Sequence, residues 1–202
     1  MARMNKNPYP SIKKDQLNHP IVFVVDMVNG FIKEGALHDG KIMDVVESIQ
    51  SLLEEYNSIF VCDNHPEDAR EFQAYPKHCV IGTSEAQVID ELQKYNKNQI
   101  EKNSTNTFFS PGFQDFLEED FYQYDDYIIT GCCTDLCILQ FALSFHSWLN
   151  QNDYSDKRII IPVDCVETYN IDGDHDASQW NEMALENMAT NGIQIVSRIE
   201  GE

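Results

Sequence analysis

Basic residues are scarce in this chain: Lys+Arg number 14 against 34 Asp+Glu, a formal net charge of -20 over 202 residues. Such a surface repels phosphate backbones and anionic headgroups, which excludes nucleic acid and membrane surfaces as expected partners. It leaves room for a small anionic ligand, because one buried lysine sets a local field. Long hydrophobic runs are also missing. The longest, Ile21 to Val25, is far too short to span a bilayer. The segment Met1 to Leu17 is polar and has no apolar centre, so no secretory leader is expected and a cytoplasmic location is. No glycine-rich phosphate or dinucleotide fingerprint follows any apolar run, which argues against a nucleotide cofactor. There is no Cys-x-x-Cys, and the six cysteines lack the paired spacing of a disulfide framework.

What is present is a regular alternation. Apolar runs at Ile21–Asp26, Ser58–Asp63, Gln99–Lys102, Tyr127–Gly131, Arg158–Asp164 and Ile193–Ser197 read as six strands. Helical patterns lie between them at Lys41–Tyr56, Glu85–Tyr95, Gly112–Asp120, Thr134–Asn150 and Ala177–Asn191, the last stopped by Gly192. Strand and helix in alternation imply a three-layer α/β/α sandwich around an open, mostly parallel six-stranded sheet. The length suits one domain. Residues 1–18 read as a polar arm and 19–202 as the single domain.

Ligands of open parallel sheets bind beyond the carboxyl ends of strands. Those ends carry Asp26, Asp63-Asn64-His65, Lys102, the run Gly131-Cys132-Cys133-Thr134-Asp135-Leu136-Cys137, and Asp164-Cys165-Val166-Glu167-Thr168. Cys137 falls in the first turn of a predicted helix, where the dipole favours thiolate and free backbone N–H groups suit an oxyanion. Asp26 is placed to accept the thiol proton, and Lys102 to stabilise thiolate and oxyanion. Each residue alone also fits a cap, a surface charge or a packing role. Cys62, Cys79 and Cys165 read as small buried hydrophobes. Asp63, His65 and His78 suit zinc or another divalent first-row metal, and equally a solvated acidic loop. Asp164, Glu167, Thr168, Tyr169 and His175 fit either a pocket border or a turn.

The segments Val24-Val25-Asp26-Met27-Val28-Asn29-Gly30-Phe31, Glu101-Lys102-Asn103-Ser104 and Thr130-Gly131-Cys132-Cys133-Thr134-Asp135-Leu136-Cys137 resemble the isochorismatase-like cysteine hydrolases, a family that includes the nicotinamidases. The similarity runs from about Ile21 to Val196, and Gly-x-x-Thr-Asp-x-Cys is its most specific piece. The resemblance implies a triad of Asp26, Lys102 and Cys137. It also implies a cis peptide between Cys132 and Cys133, and an oxyanion site from the N–H groups of Cys133 and Cys137. It adds Glu71 to Asp63, His65 and His78 as ligands of a divalent metal, zinc being expected. The implied reaction is hydrolysis of a small carboxamide, nicotinamide to nicotinate and ammonia through a thioester, within NAD salvage. The alternative is a metal-free relative acting on isochorismate or another small amide. Phe31, Phe72 and Phe108 are candidates for an apolar slot or for plain core. A homo-oligomer is expected. Two departures from the nicotinamidase pattern concern the exact amide. Thr105 stands where several nicotinamidases carry an aromatic, and the metal loop has no tryptophan, since Trp148 and Trp180 fall in predicted helices.

Overall fold

A computed structural model describes residues 9–201. Nine strands are present among them: β1 (Ile12–Lys13), β2 (Pro20–Val25), β3 (Asn57–Asp63), β4 (Gln99–Lys102), β5 (Asp126–Cys132), β6 (Arg158–Pro162), β7 (Val166–Glu167), β8 (Gln194–Val196) and β9 (Ile199–Glu200). The α-helices are α1 (Asn29–Ile32), α2 (Val46–Leu53), α3 (Asp90–Gln93), α4 (Pro111–Glu119), α5 (Leu139–Gln151) and α6 (Ala177–Thr190). The main sheet runs β4-β3-β2-β5-β6-β8, with β7 added at the end of β5. Every pairing in it is parallel. The sheet therefore has seven strands where periodicity predicts six, because the two residues of β7 are too few to show a period.

The central strand β2 shows why the layers form. Val22 and Val24 enter one core, with Ile42, Ile49 and Leu52 from the α2 side. Ile21, Phe23 and Val25 enter the other, with α4, α5 and α6. Alternation along one strand thus serves two helix layers, as a sheet buried on both faces requires. Phe23 meets Phe113, Phe116 and Phe141 edge-on at centroid distances of 5.8, 5.3 and 5.5 Å. Such edge-to-face geometry adds about 0.5–1.5 kcal/mol per pair beyond burial. Ser110 caps α4 by accepting from the Phe113 N–H, with Pro111 in the first turn. Asp176 caps α6, and Gly192 at φ +98° follows it.

One expectation is corrected. Glu85–Tyr95 is not one helix: a 3-10 turn at Ser84–Ala86 and the short α3 flank an extended stretch. There Val88 bridges Val28, and the Ile89 N–H donates to the Met27 carbonyl at 3.1 Å. Both side chains are buried, so tertiary pairing of β-branched residues overrides the helical period. Residues 1–8 lie outside the described residues, but Ile12–Lys13 pairs with Ile199–Glu200 and Ile12 is buried. The end of the arm is part of the fold. It is also tied through the Asn18 N–H, which donates to Asp126 Oδ2 at 2.7 Å. Asp126 is held in turn by a two-pronged contact from Arg158, Nε to Oδ1 and Nη2 to Oδ2, at 2.5 and 2.8 Å.

No helix among the described residues is long and apolar enough to cross a membrane.

Candidate active site

The order β4-β3-β2-β5 sets four chemically active strand ends side by side. Lys102 pairs in register with Asp63, and Val25, just before Asp26, with both Val61 and Gly131. Asp26 takes φ +54°, a left-handed turn that ends β2. Gly131 cannot be another residue: its φ is +107°, and a Cβ there would sit 2.0 Å from the Val25 carbonyl oxygen. The chain then passes through a cis Cys132–Cys133 peptide into a single π-helical turn, Thr134–Ile138, before α5. The predicted helix over Thr134–Asn150 therefore begins with a wider turn than expected. Cys137 sits in that turn, 4% exposed.

Lys102 is the hub. Its buried ammonium lies 2.5 Å from Asp63 Oδ1, 2.8 Å from Asp26 Oδ2 and 3.8 Å from Cys137 Sγ. Asp26 Oδ1 accepts the Asp63 N–H at 2.9 Å. Its Oδ2 makes the ion pair with Lys102 but accepts no well-aligned hydrogen bond, and the carboxylate is within reach of the Cys137 thiol. Burial and the neighbouring Asp63 charge raise Asp26 to about 6, against the pull of Lys102. Burial also pushes the Cys137 thiol well up, with Lys102 opposing it. Desolvation thus opposes the thiolate that the helix dipole is expected to favour. Lys102 loses from burial but gains more from Asp26 and Asp63, so it stays charged. Asp63, despite its burial, is drawn well below the usual carboxylate range by Lys102 and two imidazoles.

Asp63 links this group to a second one. Asp63, His65, Glu71 and His78 each offer one ligand atom, all within 4.8 Å of one another. Asp63 Oδ2 is 3.5 Å from His65 Nε2 and 3.7 Å from His78 Nε2. His65 Nδ1 faces Asn103 Oδ1 at 2.7 Å, and His78 Nδ1 faces the Pro76 carbonyl at 2.8 Å. Both rings are thereby turned so that Nε2 points at the cluster, as outer partners do for ligating histidines. His65 Nε2 is buried and has no hydrogen-bond partner among the described residues. Two imidazoles, two carboxylates and an orphaned buried nitrogen fit a divalent first-row ion.

A cavity of about 720 Å³ opens onto both groups, and Phe31, Asp63, Glu71, Tyr75, His78 and Cys137 are among its lining. Phe108 is a correction: it packs on Phe109, Phe113 and Trp148, away from the cavity. It lies in a 3-10 turn, Thr107–Phe109, just ahead of α4, and that tertiary contact with Phe113 is not visible in the sequence. Phe72 meets His65 and His78 edge-on rather than lining the slot. Asp164 is exposed, whereas Thr168 and His175 are buried and Tyr169 lines the cavity. Sequence reading missed Asn103 as the partner of His65 and Asp135 as a buried acid. Asn103 directly follows Lys102, and a polar amide at a strand end was the available signal. All six cysteines are free, and Cys62, Cys79 and Cys165 are buried.

A family model described as the isochorismatase domain matches residues 20–200. Nicotinamidase 1 of Arabidopsis thaliana is 27% identical over 168 residues, 72% of this chain. The match spans 65% of that relative, a little under two thirds of its length. Among solved structures, PnC1 from L. infantum in complex with nicotinate aligns with TM-score 0.75 at 15% identity, covering 95% of this chain and all of that one (100%). An isochorismatase-like hydrolase from Alkaliphilus metalliredigens aligns at TM-score 0.72 and 19% identity, covering 88% and 94%. The two structures share the fold.

Proposed function

The chain belongs to the isochorismatase family, and from that premise we propose that it is a cysteine amidohydrolase converting nicotinamide to nicotinate and ammonia. The observation that carries the reading is the shared Asp63, whose one oxygen meets Lys102 and whose other faces the His65–His78 pair. A nucleophile site and an ion site joined by one carboxylate suit a substrate with a reacting amide and a second ligand atom on the same ring. A small amide without such an atom gives the ion site no task.

In the proposed mechanism, Asp26 takes the Cys137 proton as the thiolate attacks the amide carbon. The N–H groups of Cys133 and Cys137, with Lys102, hold the tetrahedral oxyanion. Asp26 returns the proton to the departing nitrogen, which leaves as ammonia and yields a thioester. Water, deprotonated by Asp26, then attacks the thioester, and the acid and the Cys137 thiol are released. Asp63, His65, Glu71 and His78 would hold the divalent ion, with zinc a suitable one, and the ion would template the ring by binding its nitrogen. A cytoplasmic location, a homo-oligomer and a place in NAD salvage belong to the same proposal, as does the division into arm and single domain.

The direct test is ammonia release from nicotinamide, with and without a chelator. Ammonia is expected, and chelation is expected to raise KM by about tenfold or more with a smaller change in kcat. No ammonia from nicotinamide, with another carboxamide turned over, overturns the substrate. The pH profile gives a second expectation. Asp26 acts as base only when ionised, and its value is raised to about 6. Below that pH, kcat/KM should therefore fall about tenfold per unit. An acid limb centred near the ordinary carboxylate range would show a different base.

A further inference from the structure

One buried carboxylate next to the nucleophile has no part in that mechanism. Asp135 stands in the π turn two residues before Cys137 and is 9% exposed. Its Oδ1 accepts from Thr168 Oγ1 at 2.5 Å, and its Oδ2 lies 2.9 Å from His175 Nε2. His175 Nδ1 lies 2.9 Å from the Tyr169 carbonyl oxygen. Both ring nitrogens of His175 thus face acceptors, which fixes the plane of the ring from two sides. Two aromatic rings also stack against it. Tyr169 stacks on one ring contact at 4.0 Å and 16°, and Trp180 of α6 on another at 5.0 Å and 1°.

The loop that carries these partners is itself a wall of the cavity. Tyr169, Asn170 and Ile171 line it together with Cys133, Leu136 and Cys137. Ile171 and His175 close the loop with paired backbone hydrogen bonds at 2.8 and 2.9 Å. The Asn170 N–H donates to Asp39 Oδ2 at 2.9 Å, joining the loop to the opposite lining segment. Asp135 is the point where the nucleophile turn meets this loop.

We propose that Asp135 and His175 are positioning residues: they clamp the nucleophile turn to the loop 168–175 and so fix the direction of Cys137 and the wall its substrate rests on. Neither touches the thiol, and neither takes part in proton transfer. The inference rests on Cys137 as nucleophile, but not on nicotinamide as the substrate. The clamp works by hydrogen bonds and shape, so it has a distinctive rescue pattern. Asp135→Asn keeps an oxygen for Thr168 and offers an N–H₂ to the other tautomer of His175, and should retain most of the rate. Asp135→Ala and His175→Ala lose the clamp.

The test measures steady-state ammonia release and, separately, the rate of Cys137 alkylation by iodoacetamide, read by peptide mass spectrometry. Asp135→Ala and His175→Ala should each lower kcat about 10²-fold, as misplacement of a reacting group does, with KM changed less. The double variant should match the singles, since both remove one clamp. Cys137 alkylation should change with them, and Asp135→Asn should restore both readouts. If the alanine variants fail to fold, Thr168→Val against Thr168→Ser decides: only the valine variant should lose rate. Variants that melt lower but keep wild-type kcat and alkylation would reduce the clamp to a structural role and overturn the proposal. If the unaltered protein releases no ammonia from nicotinamide, the substrate reading fails, and the alkylation comparison still decides this one.

Discussion

Replacing Cys137 with alanine should lower turnover by at least about 10⁴-fold while leaving the fold intact. The expectation follows from how the site is built. Cys137 is the thiol that lies beside both Asp26 and Lys102, at 3.8 Å from the lysine nitrogen. Cys133 shares the cavity, but the role proposed for it is through its backbone N–H, and Cys132 directs its thiol at the Asp26 carbonyl oxygen, 3.2 Å away. Neither can replace the missing sulfur. Cys137→Ser should be nearly as inactive, because a carboxylate raised only to about 6 is too weak a base for an alcohol. Truncation costs little stability, since one small side chain leaves a space that adjoins the open cavity. Retention of activity by Cys137→Ala would remove the nucleophile from the account.

Lys102→Met carries the second large effect, on stability as well as rate. The ammonium is 2% exposed and neutralises two buried carboxylates at 2.5 and 2.8 Å. Methionine fills the volume but leaves Asp26 and Asp63 facing each other without a cation. Removing one member of a buried charge group costs about 3–5 kcal/mol. The pH dependence has a definite sign. Loss of Lys102 raises the folded-state value of Asp26 further above its unfolded one. The penalty is therefore full when Asp26 must ionise, at neutral and higher pH, and shrinks as the pH falls and the carboxyl takes a proton. Urea midpoints at pH 8 and pH 5 measure this, with the variant closer to the unaltered protein at the lower pH. Equal midpoints at both would show that Lys102 is not the counter-ion of this cluster.

Much of this arrangement is legible along the chain, and the parts that are not share a cause. Apolar runs with a reactive residue at each end pick out Asp26, Asp63, Lys102 and Cys137, because strand ends are set by local pattern. Their adjacency needs the order β4-β3-β2-β5, which periodicity does not carry. The pairing of Val88 with Val28 is invisible for the same reason: a helical period says nothing of a partner sixty residues away. Phe108 and Phe31 look alike in sequence, yet one joins the aromatic core around Phe113 and the other reaches the cavity. The environment of His175 depends on Asp135, forty residues earlier, and on Trp180 across a turn. Local chemistry reads out of sequence, whereas contacts closed by the tertiary fold do not. The burial that opposes a dipole-favoured thiolate at Cys137 belongs to the second kind.

The most direct test of the central claim is a trapping measurement. The protein is mixed with nicotinamide, quenched in acid within a turnover, digested and examined by mass spectrometry. The expected result is one pyridinecarbonyl group on the peptide that contains Cys137, formed as ammonia appears and absent from Cys137→Ala. Ammonia and nicotinate released with no acyl group on Cys137, and at an undiminished rate in Cys137→Ala, would contradict it.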